Sequence, residues 1–360
     1  MNTASVKQLL QQKAKADLGF YPTPLYRLNN LSKKLGINLY IKREDFSGQS
    51  LFGGNKIRKL EYLIGDAKEQ GADYIFTFGA TQSNHAMQTV EACRKEGLKP
   101  ILYLVAYVEP DEQDLRSNLL LDRILGAEVH VILKNPGETE TEMSARSVKL
   151  AREHMDKLAK EGHNCYEIPM GGASSIGSVG FINGFVELAE QAADTRVEFD
   201  YLVHATGSGG TMAGLVARKK LLNHPIRIFS FDVIGHDSSY LDSSVKLGNE
   251  SLAWLGAEAC LTAEDFEHDN QYFLPGYEMP SEAGNDAIRL LAREEGLFLD
   301  PVYSGKAFAG MLDYIEKGKI PQGSNVIFLH TGGATALFAE KEILGIYWIN
   351  NYSIGGIGNE

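Results

Sequence analysis

Short apolar runs and longer helix-periodic stretches alternate along almost the whole chain, and that alternation limits the fold more than any single motif. Strand-like runs cover 38–42, 73–78, 100–105, 128–133, 200–205, 227–233 and 325–330. Between them, 60–70, 91–97, 144–160, 180–192, 282–295 and 306–317 repeat apolar residues at helical spacing. The pattern predicts an α/β chain built from βαβ units, with open parallel sheets covered by helices on both faces. At 360 residues there is room for two modest domains, and no internal repeat or low-complexity segment interrupts them. Ligands in such sheets bind beyond the carboxyl ends of the strands, so the turns that follow strands are where chemistry is sought.

Charge narrows the partners. A formal net charge of −12 on a chain with 44% hydrophobic residues describes an acidic globular protein, which attracts neither nucleic acid nor an anionic membrane surface. No basic-plus-apolar leader and no apolar run long enough to span a bilayer is visible. The cysteines, Cys93, Cys165 and Cys260, are widely spaced and odd in number, which suits a reducing compartment; the expected location is the cytoplasm. Cys93 lies on an apolar helical face and reads as a small core residue. Nine histidines offer no His-x-x-x-His spacing and the cysteines no Cys-x-x-Cys, so no metal site is expected.

Three turns carry chemistry. In Phe52-Gly53-Gly54-Asn55-Lys56, a Gly-Gly-Asn turn places Lys56 on the first turn of a helix. The positive end of the helix dipole and the cations Arg58 and Lys59 favour its neutral amine, a nucleophile able to form a Schiff base with a carbonyl. A solvated surface lysine would show the same spacing. Ser83-Asn84-His85 joins the strand-like run 73–78 to a helix-like stretch and supplies a hydroxyl, an amide and an imidazole beside helix N-terminal donors. That set suits a carboxylate or phenolic oxygen, and an inert Asx turn with an N-cap would use the same residues. Thr206-Gly207-Ser208-Gly209-Gly210-Thr211 follows the buried run Tyr201–Ala205 and precedes a small-residue helix, a pattern that can cradle an anion on backbone N–H groups. It lacks both the Gly-Lys-Ser/Thr of a nucleoside-triphosphate loop and the spacing of a dinucleotide fingerprint.

Read in order with Thr23-Pro24-Leu25, Ile41-Lys42-Arg43-Glu44-Asp45, Ile168-Pro169-Met170-Gly171-Gly172, Asp300-Pro301-Val302-Tyr303 and Thr331-Gly332-Gly333, these turns resemble the pyridoxal-phosphate enzymes of the tryptophan-synthase-β type. Within that type the chain is similar to the family of D-cysteine desulfhydrase and 1-aminocyclopropane-1-carboxylate (ACC) deaminase. The resemblance covers most of the chain. It implies a larger cofactor-binding domain from 1–56 plus 165–360, a smaller α/β domain inserted at 57–164, and a homodimer. It also implies that Lys56 carries pyridoxal 5'-phosphate, that Asn84 bonds the cofactor's phenolic oxygen, and that Ser83 and His85 face the substrate carboxylate. Thr206, Gly207, Ser208, Gly209, Gly210 and Thr211 would hold the phosphate, and Tyr277 and Tyr303 would flank an amino-acid substrate.

Where the ring-opening deaminases carry a glutamate and a leucine, this chain has Ser304 and Thr331. A hydroxyl can donate a hydrogen bond to a neutral pyridine nitrogen but does not protonate it, a weaker electron sink that suits departure of a good leaving group at Cβ. The implied reaction is therefore α,β-elimination, with D-cysteine the leading substrate. L-cysteate, D-serine or ACC is the alternative, and a non-catalytic binder of cofactor or amino acid is the alternative of another class. Met87, Ile57 and Glu278 depart from the arginine, threonine and glycine usual at their positions, and the Met87 and Glu278 changes bear on which side-chain head group fits. The segment Lys341–Glu360 is expected to be peripheral.

Overall fold

The computed structural model describes residues 1–107, 109–111, 115–339 and 343. It opens with α1 (Thr3–Gln11), β1 (Leu25–Arg27), α2 (Asn29–Leu35) and β2 (Asn38–Arg43). There follow α3 (Lys56–Glu69), β3 (Tyr74–Ala80), α4 (Asn84–Glu96), β4 (Lys99–Ala106), α5 (Ser117–Ile124), β5 (Glu128–Leu133), α6 (Glu140–Lys160) and β6 (Cys165–Ile168). The remainder comprises α7 (Ser175–Thr195), β7 (Tyr201–Thr206), α8 (Gly210–Leu222), β8 (Arg227–Asp232) and α9 (Ser239–Leu255), then β9 (Glu267–Asp269), α10 (Glu282–Glu295), α11 (Ser304–Glu316) and β10 (Asn325–His330).

The strands form mainly parallel sheets, as the alternation predicts, and they form two of them, as the resemblance implies. The larger has strand order β1-β2-β10-β7-β8-β9 and is parallel except for β1, which runs antiparallel to β2 at the edge. The smaller, β5-β4-β3-β6, is parallel throughout. Every residue of β7 is buried, as expected of a central strand covered on both faces. Cys165–Ile168 pairs with β3, so this strand lies in the smaller sheet, on the far side of the boundary that the sequence places at 164/165. Cys93 packs in the apolar core around α3, and all three cysteines are free. Of Lys341–Glu360, only Ile343 lies within the described residues; it is buried, and its carbonyl accepts from Arg289 Nη1 at 2.5 Å.

Helix α3 is positioned by two devices. On one side it meets α7 so closely that a Cβ on Gly180 would sit 2.2 Å from the Arg58 carbonyl oxygen, and α7 meets α8 through Gly214, whose Cβ would sit 2.2 Å from the Ser178 carbonyl. Only glycine permits these two approaches. The second device is a buried ionic cluster. Arg58 donates to Glu44 at 2.5 and 2.8 Å and to Glu187 at 2.8 Å. Lys42 pairs with Glu187 and donates to the Thr23 carbonyl at 2.8 Å, while the Thr23 hydroxyl donates to Glu44 at 2.8 Å. Two cations and two carboxylates balance. Burial alone would raise the Glu187 carboxyl, yet Arg58 and Lys42 hold it below the usual range.

Glu44→Gln would leave Arg58 with one carboxylate fewer in a dry environment. Removing one partner of a buried pair costs about 3–5 kcal/mol, so the urea midpoint of the variant is expected to drop sharply. An unchanged midpoint would show that the cluster does not hold α3.

Candidate active site

The Gly-Gly-Asn turn comes close to two other segments. A Cβ on Gly53 would meet the Ser47 carbonyl at 1.6 Å, and one on Gly54 would meet the Thr331 carbonyl at 2.9 Å. Gly54 bridges Gly332, and the Asn55 N–H donates to the Thr331 carbonyl at 3.0 Å, so the Lys56 turn and the 331–333 turn are zipped together. Lys56 is the first residue of α3, and its Nζ donates to Asn55 Oδ1 at 2.9 Å. Asn55 Nδ2 in turn donates to Thr211 Oγ1 at 2.9 Å, tying the lysine to the start of α8. Burial lowers the Lys56 amine to about 8, against the attraction of Asp300. The leading cause differs from the one the sequence suggests: burial comes first, Arg58 is neutralised by Glu44 and Glu187, and Lys56 and Lys59 repel each other.

The Thr206–Thr211 turn leaves β7 and enters α8 through Gly209, which is left-handed at φ +82 and gives that helix no side-chain cap. Its first N–H groups therefore face forward unpaired by any capping group. Lys59, one turn along α3 from Lys56, reaches this helix end: a Cβ on Gly210 would meet Lys59 Nζ at 2.9 Å and Ser178 Oγ at 3.2 Å. Lys59 is buried and donates to the Gly171 carbonyl at 3.1 Å; burial and then Lys56 pull its amine far down, with no carboxylate beside it among the described residues. The Ser178 hydroxyl is buried without a partner among the described residues. A helix N-terminus, a lysine lacking a countercharge and an orphaned hydroxyl together fit a phosphate dianion. Sequence reasoning gave Lys59 no role here, although its i, i+3 spacing from Lys56 places both on one helix face.

The other expected residues divide. Ser83 caps α4, its Oγ accepting from the Ala86 N–H at 3.2 Å. Asn84 Oδ1 accepts from Asn118 Nδ2 at 2.8 Å and from the Thr335 hydroxyl at 3.3 Å, and the side chain lines a small pocket with Gly53, Gly332 and Gly333. The His85 imidazole is walled in instead: it is buried, its Nε2 lies 2.9 Å from Thr77 Oγ1, and Thr77 gives its own proton to the Ile168 carbonyl, which makes Nε2 the protonated nitrogen. Burial, then Lys56 and Lys59, keep this ring neutral. Thr206 Oγ1 lies 2.7 Å from the Tyr240 hydroxyl, and Ser208 packs against Gly171.

Tyr277 and Tyr303 meet hydroxyl to hydroxyl at 2.5 Å, and Lys56 Nζ lies 5.8 Å from the Tyr303 ring centre. Burial raises both phenols, so both are neutral and share hydrogens. Glu278, beside them, is left-handed at φ +63, the conformation that explains why glycine suits this position. Burial and then Glu140 raise its carboxyl to about 7. Ser304 starts α11 and is fully buried; its Oγ donates to Asp300 Oδ1 at 2.5 Å and accepts from the Asp300 N–H at 2.9 Å. Asp300 also accepts the N–H groups of Val302, Tyr303 and Ser304, and burial raises its carboxyl despite them. A larger cavity of about 480 Å³ under β9, lined by Arg227, Glu267 and Lys319 among others, holds none of these residues.

Because the Asp300 charge favours the Lys56 ammonium, Asp300→Asn is expected to move the titration of Lys56 below its present value, leaving more free amine at neutral pH. The pH profile of Lys56 acylation in cofactor-free protein, followed by peptide mapping, checks the sign. A midpoint that stays or rises would remove Asp300 from the electrostatics of this lysine.

Comparison with known proteins bears on the same residues. The model of the family described as pyridoxal-phosphate dependent enzyme matches residues 16–332. The chain is 36% identical over 339 residues to a D-cysteine desulfhydrase of Serratia proteamaculans, covering 93% of this chain and 98% of that one. It is 35% identical over 334 residues to an ACC deaminase of Methylobacterium nodulans, covering 91% and 97%. A crystal structure of an ACC deaminase homologue superposes with a TM-score of 0.84 at 36% identity, covering 95% of this chain and 98% of that one. With the Lys56 turn and the α8 cradle in place, the chain belongs to the pyridoxal-phosphate dependent enzymes, in the group of lyases that contains D-cysteine desulfhydrase and ACC deaminase.

Proposed function

We propose that this lyase catalyses α,β-elimination of a β-substituted amino acid, with D-cysteine the leading substrate and pyruvate, ammonia and sulfide the products. What carries the reading is the pair Ser304 and Thr331, two hydroxyl residues at positions where the resemblance drawn from the sequence implies a glutamate and a leucine in a ring-opening enzyme. Ser304 has one proton, and Asp300 takes it; donation to a ring nitrogen requires the hydroxyl to turn, leaving Asp300 with its three N–H partners. Glu278 adds a second argument. Where it is ionised, above its raised value of about 7, this carboxyl close to the Tyr277–Tyr303 pair disfavours an anionic head group such as the sulfonate of L-cysteate, and a neutral thiol or hydroxyl carries no such penalty. ACC remains the second reading, because relatives bearing that activity's name are as similar as those named for D-cysteine.

When bound, pyridoxal phosphate supplies an electron sink beside the substrate Cα. Lys59, Ser178 and the N–H groups of Gly209, Gly210 and Thr211 would hold its phosphate, and Asn84 its phenolic oxygen. Lys56 would hold the cofactor and, with an amine near neutrality in its proton affinity, take the Cα proton. Ser83 would bind the substrate carboxylate. The two tyrosines, sharing hydrogens at 2.5 Å, can pass a proton toward the departing sulfur without either phenol ionising. His85 would position the loop through Thr77 and leave the carboxylate to Ser83. We propose further that the enzyme is a cytoplasmic homodimer.

Borohydride reduction of the loaded enzyme is expected to fix the cofactor on the peptide containing Lys56. Gly210→Val places a side chain where Lys59 and the anion must meet, so it should lower the fraction fixed while leaving the circular dichroism spectrum intact. Equal retention in both proteins would make the α8 turn merely structural. The substrate reading is checked by measuring pyruvate and 2-oxobutyrate released from both enantiomers of cysteine and serine, from L-cysteate and from ACC. Pyruvate from D-cysteine is expected to dominate, and predominant 2-oxobutyrate from ACC would overturn it.

A further inference from the structure

At the end of the smaller sheet remote from Lys56, three polar side chains converge where β5 meets α6. On β5, residues 128, 130 and 132 share a face, and Ile132 is buried in the core beneath α6. The other two are Glu128 and His130, and His154 comes down on them from α6. Glu128 Oε1 lies 2.7 Å from His130 Nε2 and 3.9 Å from His154 Nδ1. Among the described residues these three donor atoms all fall within 4.8 Å of one another. The rings are held before any ligand arrives. His130 stacks on Tyr103, its cross-strand partner, with centres 4.5 Å apart and planes at 16°. His154 stands edge-on to Phe76 at 5.4 Å, and its Nδ1 is 3.2 Å from the Tyr103 hydroxyl.

We propose that Glu128, His130 and His154 form a binding site for a borderline divalent cation, zinc in the first instance, that joins the edge strand β5 to α6. Two imidazoles and one carboxylate are ligands zinc takes, and the site's openness leaves a fourth position for water. With zinc–ligand bonds near 2.0–2.1 Å, tetrahedral donors stand roughly 3.3 Å apart; the two carboxylate–imidazole separations of 2.7 and 3.9 Å need change by about 0.6 Å, and the separation of the two imidazole donors, within 4.8 Å, closes by no more than about 1.5 Å. The Tyr103 and Phe76 rings packed against the imidazoles fix the donors, and on metal binding the Tyr103 hydroxyl would yield the His154 Nδ1 lone pair to the ion. An ordinary His130–Glu128 ion pair accounts for the shorter contact and the Tyr103 hydroxyl helps to orient His154; what points to a cation is that both imidazoles converge on one carboxylate oxygen. The spacing within either element predicts nothing here: the ligands come from a strand and a helix that meet only on folding. The ion would sit at the amino end of β5, whereas the lysine turn and the anion cradle lie beyond the carboxyl ends of strands, so the cation would act on the smaller sheet and its helix.

The test is equilibrium dialysis of the cofactor-loaded enzyme against micromolar zinc, with magnesium in parallel, followed by metal analysis and thermal unfolding. One zinc per chain is expected, with no magnesium retained and a rise in the melting temperature on adding zinc. His130→Gln and Glu128→Gln, substitutions at a half-exposed site, should each weaken binding at least tenfold and abolish the zinc-dependent rise. The cofactor absorbance should stay unchanged in both. Zinc bound equally well by both variants would place it elsewhere, for instance at His236 and His268 beside Asp232, and would overturn the proposal. So would absence of binding in the parent.

Discussion

Everything in the site depends on how one arginine is neutralised. Arg58 is carried two residues beyond Lys56 on the first turn of α3, and it is fully buried. A guanidinium there is tolerable only because Glu44 and Glu187 converge on it with Lys42 and Thr23 completing the set. The same contacts fix the direction in which α3 starts, since they tie it at once to β2, to α7 and to the segment before β1. The first turns of the helix then direct Lys56 and Lys59 into the site. The orientation of this helix end is thus specified by charge pairing as well as by apolar packing.

That view gives physical meaning to residues that sequence comparison groups together without explaining. Thr23, Lys42, Glu44 and the Asp300 turn never face an open pocket, yet they recur in the pattern that identifies the family. Thr23, Lys42 and Glu44 build the cluster. Asp300 caps the start of α11 with both oxygens and holds the Ser304 hydroxyl, which makes Ser304 a partner of the backbone first and of any ring second.

Much of the fold was legible because its signals are local. Strands 128–133 and 325–330 and the helix 282–295 have the limits their periodicity suggests. The helix expected from 144 begins at Glu140 because Thr139 and Glu142 form a capping box, a signal present in the sequence but not used. The short strands β1, β6 and β9 were not foreseen, since three or four residues carry no period and exist only where a neighbouring strand recruits them. At the site, Lys56, Asn84 and the α8 turn were legible as motifs. Lys59 was visible as a cation and read only as an influence on its neighbour, because the helix end it reaches lies some 150 residues away in sequence. The burial of His85 beneath Thr77 was equally beyond reach, since the direction a ring takes from a helix start depends on what packs against it.

The lysine at the foot of α8 has a consequence for the life of the protein outside catalysis. An amine that is buried, beside a second lysine and without a countercharge among the described residues, makes the cofactor-free molecule electrostatically unfinished. Whatever anion fills the cradle binds the folded chain and not the unfolded one, so it adds to stability by mass action, about 2.7 kcal/mol at a hundredfold excess over its dissociation constant. The abundance of this protein in a cell would then track vitamin supply: chains made when the cofactor is scarce would be the ones that proteases clear first.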